Sequence, residues 1–326
     1  MANSHNPLDE VMNLVHYSSF DSWVKNFALN LEYIWKEDSA KNISDKRLDE
    51  FSKKPSIVIG RGPSLEKHQH LKLLLNSDFD GNILCTDGAL KSVLASGVTP
   101  DIFPNYYSIS VEPYERIKKF YDNDMVQKFG YKINVFFPVI ASPEVVNCAR
   151  QSGCKIFWYH SLFDYNEGPK SFNQISANMI RAKNNKKGLP AIQTGGNAGT
   201  TAWFIGWRIL KSSTVCLIGI NHGWDENDDI EKILSHGFED ASFDIRKNQI
   251  DRNSIKKIYN HDFGTICYVD PIFNFYSTTL KEFISRSPPW LTTINATEGG
   301  SIFGERIQCK TFRNFLVDYK YTVNED

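Results

Sequence analysis

The residues best suited to chemistry form a glycine turn, Gly60-Arg61-Gly62-Pro63-Ser64-Leu65, between an apolar run and a helical segment. Gly60 and Gly62 permit a tight turn and close approach of a ligand, and Pro63 suits a first helical turn. Amides at a helix start bind phosphate, and the Arg61 guanidinium can contact the same anion twice. The turn lacks the third glycine of a dinucleotide fingerprint and the Lys-Ser/Thr end of a P-loop. It predicts a phosphate site of another kind, with Ser64 at its edge, or else a strand-to-helix turn without a ligand.

A second run of small and polar residues, Gln193–Thr201, leads into another apolar helix. Small residues at a helix start let a ligand or a neighbouring backbone come within contact distance. Thr194 and Asn197 supply hydrogen bonds beside Gly195 and Gly196. The segment is predicted to hold a base, a ribose or a phosphate, and the alternative is close packing with an Asn or Thr helix cap.

Polar residues directly follow several apolar runs, where the carboxyl ends of parallel strands would bring them together. Asp87 is placed to hold a ribose hydroxyl or a metal ion, or else to cap the next helix. Glu112 and Asn221 follow two other runs. His222 has a side chain whose ordinary pKa lies near neutrality, as general acid–base catalysis requires, although a lone histidine is more often a structural residue. We predict catalytic roles for Asp87, Glu112 and His222, and ligand binding for Asn221.

The elements that must position these residues are short apolar runs alternating with helical segments. Continuous runs of about five residues are typical of parallel strands covered on both faces. The predicted strands are Ile57–Gly60, Ile83–Thr86, Tyr106–Val111, Ile133–Pro138, Lys155–Tyr159, Val215–Ile220 and Leu291–Asn295. The pattern predicts an α/β fold with a Rossmann-like, doubly wound, mostly parallel sheet and helices on both faces.

The organisation of the chain follows from changes in this pattern. Residues 1–52 contain no strand-like run and are predicted to form a helical N-terminal segment. The Rossmann-like domain is expected to span residues 53–310, and a C-terminal tail to span 311–326. Within the domain, the acidic stretch 223–262 is predicted to be a solvated insertion or a lid over the sheet.

Composition restricts the partners. The 326 residues carry 37 Lys and Arg against 38 Asp and Glu, and this net charge of −1 creates no field that attracts nucleic acid. The six cysteines include no C-x-x-C pair and indicate buried thiols in a reducing compartment. We find neither the apolar core of a signal peptide nor a stretch of roughly 20 apolar residues. The sequence predicts a cytoplasmic protein with no transmembrane segment and no nucleic-acid partner.

Five motifs in this order resemble the MptE-like family: GRGPSL, CTDGALKSVLASGVTPD, TGGNAGTTAWFIGWRIL, LIGIN and NATEGG. That family includes 6-hydroxymethyl-7,8-dihydropterin diphosphokinases and Maf flagellin glycosyltransferases, and its core is similar to that of bacterial sialyltransferases that use CMP-sugars. The resemblance covers about residues 55–305. It implies that Gly60, Gly62, Pro63 and Ser64 meet donor phosphates, that Asp87 lies in the nucleotide site, and that Thr194–Asn197 form its other side.

Two departures bear on the choice between activities. Asn221 stands where the family commonly has Asp, and Ser110–Pro113 replaces an acidic run of the diphosphokinases. A diphosphokinase needs carboxylates to hold Mg²⁺ against a triphosphate. The resemblance therefore favours a nucleotide-dependent transferase of the Maf-like kind, with a CMP-type sugar donor and a glycan or protein hydroxyl as acceptor. The alternatives are a diphosphokinase that uses ATP and Mg²⁺, with Asp87 as metal ligand and a pterin alcohol as acceptor, and a non-catalytic nucleotide-binding protein.

Overall fold

The structure of the chain is a computed structural model that describes residues 7–46, 54–164, 168, 170–183, 188–227 and 255–323. In these residues a ten-stranded sheet is flanked by helices, and a three-stranded sheet comes later in the chain. This confirms the predicted Rossmann-like α/β class, preceded by an N-terminal helix.

The strands are β1 (Asp38–Ser39), β2 (Ser56–Ile59), β3 (Asn82–Thr86), β4 (Tyr106–Ile109), β5 (Asn134–Pro138), β6 (Lys155–Ser161), β7 (Ala191–Ile192), β8 (Thr214–Ile218), β9 (Trp224–Asp225), β10 (Lys256–Asn260), β11 (Thr265–Val269), β12 (Thr292–Asn295) and β13 (Ile307–Cys309). The α-helices are α1 (Pro7–Lys36), α2 (Lys41–Lys46), α3 (Ser64–Lys67), α4 (His70–Leu75), α5 (Asp87–Ala95), α6 (Asp124–Phe129), α7 (Pro143–Gln151), α8 (Phe172–Arg181), α9 (Ala198–Phe204), α10 (Pro271–Ser285) and α11 (Phe312–Asp318). The 3₁₀-helices are η1 (Glu115–Phe120) and η2 (Gly130–Lys132), and a π-helical turn at Ile205–Ile209 continues α9.

The order of strands in the large sheet creates a switch point at its centre. The order is β1-β6-β5-β4-β3-β2-β8-β12-β13, with β7 paired to β6, and all these pairings are parallel. From β2 the chain builds outward through β3 to β6, and it then returns to place β8 on the other side of β2. Ligands of doubly wound sheets bind at the carboxyl ends of the strands where the order reverses. The topology therefore predicts a ligand site among the residues that follow β2 and β8.

Burial on both faces explains why these strands read as continuous apolar runs. Every residue of β2, β3, β4 and β8 is buried. In β2, Ile57 and Ile59 pack into the core on one side of the sheet, whereas Val58 packs into the core on the other. Because successive side chains of a strand point to opposite faces, both must be apolar. The seven predicted strands are present within one or two residues of their expected bounds.

Two stretches with a helical sequence pattern, residues 64–75 and 115–129, each form two shorter elements. The segment 64–75 divides into α3 and α4 at Gln69, whose φ of 50° places it in the left-handed region. The segment 115–129 divides into η1 and α6, because the Asn123 side chain accepts a hydrogen bond from the Val126 amide at 3.2 Å and starts a new helix there. Local polar contacts of this kind compete with helix continuation.

The N-terminal helix packs on the Rossmann-like core. β1 pairs with β6 at one edge of the sheet, and Asn30 of α1 donates to the carbonyls of Val139 and Ala141 at 3.2 and 2.8 Å. The predicted boundary between residues 52 and 53 lies outside the described residues. At the other end, the predicted C-terminal tail contains α11, with Phe312 and Phe315 fully buried.

Of the predicted insertion 223–262, residues 228–254 lie outside the described part of the chain, and the flanking residues form β9 and β10. All six cysteines are free thiols, five of them buried and Cys309 partly exposed. Within the described ranges, the helices lack the combination of length and apolar character that a bilayer span requires.

Candidate functional site

A cleft of about 370 Å³ lies at the switch point, at the carboxyl ends of β2, β3, β4 and β8. Its lining comes from six stretches of chain within 60–63, 86–88, 111–120, 196–199, 219–224 and 270–276. Four of these stretches follow strands of the sheet, and the other two begin at the starts of α9 and α10. The lining is thus assembled from residues far apart in sequence, as expected for a ligand site of this fold.

The cleft gathers most of the residues that the sequence singled out. Lining residues among the predicted set are Gly60, Arg61, Gly62, Pro63, Asp87, Glu112, Gly196, Asn197, Asn221 and His222. Ser64 lies buried just beneath, and its hydroxyl donates to Asn221 Oδ1 at 2.8 Å. Thr194 and Gly195 are not part of the lining. Thr194 instead braces the turn, because its hydroxyl accepts a hydrogen bond from the Gly196 amide at 3.3 Å.

The backbone of the glycine turn is hydrogen-bonded to the end of β8 and to the residue that follows it. The Gly60 amide donates to the carbonyl of Ile218 and the Gly62 amide to that of Gly219, both at 2.9 Å. A Cβ on Gly60 would stand 2.3 Å from the Gly219 oxygen, and one on Gly62 would stand 2.2 Å from Asn221 Oδ1. These glycines allow the ends of β2 and β8 to approach closely. The amides of these two glycines are therefore engaged within the protein, and a phosphate site at this turn stays a prediction.

Asp87 is the first residue of α5 and is buried at the floor of the cleft. Its Oδ1 accepts a hydrogen bond from the Gly88 amide and its Oδ2 accepts one from the Ser110 hydroxyl, both at 2.7 Å. Burial raises the pKa of Asp87 to about 7, with the Ser110 hydrogen bond opposing the rise and the Glu112 carboxylate adding to it. A carboxyl group of this kind can take up or release a proton near neutral pH.

Glu112 and Arg116 pair across one turn of the segment that follows β4. Arg116 Nη2 donates to Glu112 Oε2 at 3.1 Å, and the Arg116 guanidinium lies 4.7 Å from the centre of the Tyr114 ring. Lys119 and Phe120 of η1 also line the cleft, and Arg61 approaches from the glycine turn. Both signs of charge therefore face this side of the cleft.

His222 has a strained backbone and a buried ring. Its φ of 42° lies in the left-handed region, which a non-glycine residue rarely adopts outside constrained sites. The ring centroid lies 6.2 Å from that of Phe273 and 5.8 Å from that of Tyr276. Burial lowers the pKa of His222 to about 3, so the ring is neutral at neutral pH. Within the described part of the chain its buried Nδ1 has no hydrogen-bond partner.

The segment before α9 combines a helix cap with close packing. Asn197 Oδ1 accepts a hydrogen bond from the Thr200 amide at 2.8 Å and so caps α9. Gly196 has a φ of 78°, and a Cβ there would stand 2.8 Å from the ring of Tyr276. The packing alternative is thus observed, and Gly196 and Asn197 also face the cleft.

The sequence analysis missed the residues that η1, β9 and the start of α10 contribute to the cleft, which are Arg116, Ile117, Lys119, Phe120, Trp224, Asp270, Ile272, Phe273 and Tyr276. One signal was available, because Asp270-Pro271 is an N-cap followed by a proline at the first helical position. Asp270 Oδ1 accepts from the Phe273 amide at 2.7 Å, as that signal predicts. Nothing local indicates that this helix start faces β2 and β8.

The polar side chains that a diphosphokinase would use to hold Mg²⁺ each have a hydrogen-bond partner within the protein. Both oxygens of Asp87 already accept hydrogen bonds, Glu112 is paired with Arg116, and Asn221 offers an amide oxygen that accepts from Ser64. Across the described ranges, no three His, Cys, Asp or Glu side chains come together as a metal site. The role of Asp87 as a metal ligand in the diphosphokinase alternative stays a prediction.

Comparisons with known proteins agree with this architecture. A family model described as 6-hydroxymethylpterin diphosphokinase MptE-like matches residues 25–227, more than half of the chain. No curated protein matches. Among solved structures, the MAf glycosyltransferase from Magnetospirillum magneticum AMB-1 is similar, with 17% identity and a TM-score of 0.53 over 80% of this chain. The chain spans about a third of that structure, 34% of its length, and at this identity the likeness shows a shared fold.

Proposed function

The chain belongs to the MptE-like family, and from that premise we propose that it is a glycosyltransferase that uses a nucleotide-activated sugar, with a CMP-type donor as the best candidate. The observation that carries the proposal is Asp87, a buried carboxyl group with a pKa of about 7 at the switch-point cleft. A group that exchanges a proton near neutral pH suits the activation of a hydroxyl acceptor. The solved glycosyltransferase of similar fold adds support.

In the proposed reaction, the acceptor hydroxyl attacks the anomeric carbon of the donor sugar while the bond from that carbon to the phosphate oxygen breaks. Ionised Asp87 accepts the proton of the attacking hydroxyl. The nucleotide leaves with the bonding electron pair on its phosphate oxygen. Because burial raises the pKa of Asp87 to about 7, the group can act as a general base near neutral pH.

The start of α10 supplies the side of the cleft that suits a nucleobase. Phe273 and Tyr276 offer ring faces next to Gly196 and to the neutral imidazole of His222. Aromatic rings bind bases by stacking, with a free energy of about 1–3 kcal/mol per base. We propose that the base lies there, and that a donor hydroxyl or amino group supplies the hydrogen-bond partner of His222 Nδ1.

The second candidate is diphosphoryl transfer from ATP to a pterin alcohol, which the printed description of the family favours. Its requirement for Mg²⁺ on carboxylates is the weak point, because Asp87, Glu112 and Asn221 are engaged with neighbouring donors. In glycosyl transfer, the first candidate, the acceptor would instead be a hydroxyl group of a glycan or a protein.

The first experiment is a thermal-shift series with CMP, CDP, UDP, GDP, ADP and ATP, each with and without Mg²⁺. A ligand that binds only the folded state at 100 times its Kd adds about 2.7 kcal/mol to the free energy of unfolding. Stabilisation by CMP without Mg²⁺ is the expected result. Stabilisation by ATP only with Mg²⁺ would favour the diphosphokinase, and no response to any nucleotide would refute both candidates.

The second experiment measures release of CMP from a CMP-sugar by the wild-type protein, Asp87→Asn and Glu305→Gln. Loss of a general base lowers turnover by about 10²- to 10⁴-fold, and we expect that loss in Asp87→Asn alone. Glu305 is an exposed carboxylate outside the cleft and serves as the matched control. Tight CMP binding without turnover of any donor would identify a non-catalytic nucleotide-binding protein.

A further inference from the structure

Three cationic side chains line the cleft. Arg116 and Lys119 belong to η1, and Arg61 comes from the glycine turn. The carboxylates of the lining besides Asp87 are Glu112 and Asp270. Asp270 caps α10, and Asp87 is only partly ionised at neutral pH. Arg61, Arg116 and Lys119 thus give the lining three positive charges, against Glu112, Asp270 and the partly ionised Asp87, and an anion can bind beside them.

In this fold, backbone amides of the turn after the first strand of the sheet commonly bind phosphate, and here two of these amides are already hydrogen-bonded within the protein. The amides of Gly60 and Gly62 donate to β8 and to Gly219, so they are committed to the backbone of the sheet. Side-chain donors of the cleft can supply the phosphate contacts that these two amides do not make. Arginine has five N–H donors, and the bond from Arg116 to Glu112 uses one of them, which leaves others for a phosphate.

The N-terminal helix α1 holds the arginine in position. Asn26 of α1 donates to the Pro113 carbonyl at 2.9 Å, and the hydroxyls of Ser19 and Tyr114 lie 3.2 Å apart. The Tyr114 ring in turn lies under the Arg116 guanidinium. These contacts fix the segment between β4 and η1 before any ligand arrives, which lowers the entropic cost of binding.

We infer that Arg116, with Lys119 and Arg61, binds the phosphate of the nucleotide donor, and that Tyr114, held by α1, positions Arg116. The inference rests on the proposed function for the identity of the ligand. The anion site itself has a test that is independent of that identity, because a phosphate-binding cluster of this kind also binds inorganic pyrophosphate.

The experiment is calorimetric titration of wild type, Arg116→Gln and the double variant Arg116→Gln/Lys119→Gln with inorganic pyrophosphate, CMP and cytidine. We expect pyrophosphate and CMP affinity to fall at least 10-fold in Arg116→Gln and further in the double variant. Cytidine affinity should change less than 2-fold, because it carries no phosphate. Arg286→Gln is the matched control, since Arg286 also pairs with a glutamate four residues earlier but directly follows α10 and lies outside the cleft. It should leave all three affinities unchanged.

The positioning role of Tyr114 is tested by Tyr114→Leu and Tyr114→Phe. Loss of the ring in Tyr114→Leu should weaken pyrophosphate binding about 3- to 10-fold with cytidine unaffected. Tyr114→Phe loses the hydroxyl contact with Ser19 but retains the ring and the bond from Asn26 to the Pro113 carbonyl, so it should keep most of the affinity. Equal affinity of both variants for pyrophosphate would overturn this part.

The outcomes separate this inference from the proposed function. Pyrophosphate or CMP affinity within 2-fold of wild type in the double variant would overturn the anion site while leaving a nucleotide donor possible. Pyrophosphate binding that Arg116→Gln abolishes, in a protein that binds no nucleotide, would support the anion site and refute the donor. A wild-type protein that does not bind pyrophosphate would overturn the inference.

Discussion

Asp87→Asn replaces the buried carboxyl group at the end of β3 with an amide of nearly the same shape. The Asn side chain can still accept from the Gly88 amide, and Ser110 can reorient to accept from the new amide group. Packing is therefore retained, and the main change is the loss of one titrating proton. The pH dependence of the difference in unfolding free energy between wild type and variant therefore reports the cost of ionising Asp87 inside the protein.

The magnitude follows from the pKa of Asp87, raised from 3.8 to about 7 by burial. That rise in the pKa corresponds to a free energy of about 4 kcal/mol. Because the pKa is higher in the folded state, the folded protein holds the proton between about pH 4 and pH 7 while the unfolded chain releases it. The contribution of Asp87 to the free energy of unfolding of the wild-type protein is therefore fully present below about pH 4. It is lost as the pH rises through about 7.

The assay is urea unfolding of wild type and Asp87→Asn at intervals from pH 4 to pH 8. The free energy of unfolding of the variant, relative to wild type, should rise by about 4 kcal/mol across that range, because the other titrating groups cancel. Glu305→Gln, at an exposed carboxylate, should show a difference nearly independent of pH. A difference for Asp87→Asn that stays within about 1 kcal/mol from pH 4 to pH 8 would refute the assignment of this raised pKa.

Three further predictions concern the supports of the cleft. Gly62→Ala would place a methyl 2.2 Å from Asn221 Oδ1 and should cost about 1–3 kcal/mol by urea unfolding, whereas Gly299→Ala meets its first neighbour at 3.6 Å and should cost little; equal losses would contradict the account of the glycine turn. The His222 imidazole should remain neutral down to about pH 4 in an NMR titration, since burial lowers its pKa to about 3, and a midpoint above pH 6 would contradict its burial. Asn30→Ala leaves two buried carbonyls without their donor and should cost about 1–3 kcal/mol by thermal unfolding; a loss below about 0.5 kcal/mol would mean that α1 is not anchored there.

The sequence alone determined the central strands and the order of the motifs that follow them. Strands such as β2 and β8 are covered on both faces, so their apolar runs are uninterrupted and can be recognised locally. Once the sheet is taken as parallel, the residues after its strands must share one edge. That reasoning brought Asp87, Glu112 and Asn221 to one place, and the structure puts all three at the cleft.

Only the tertiary structure decided what those residues do there. Whether the Gly60 amide is available to a ligand depends on a carbonyl of β8, about 160 positions away in the chain, and no local pattern encodes that contact. The same holds for Tyr276 and Arg116, which reach the cleft because α10 and η1 pack over the sheet. The pKa values of Asp87 and His222 are likewise consequences of burial, a property of the assembled fold that the side-chain types themselves do not carry.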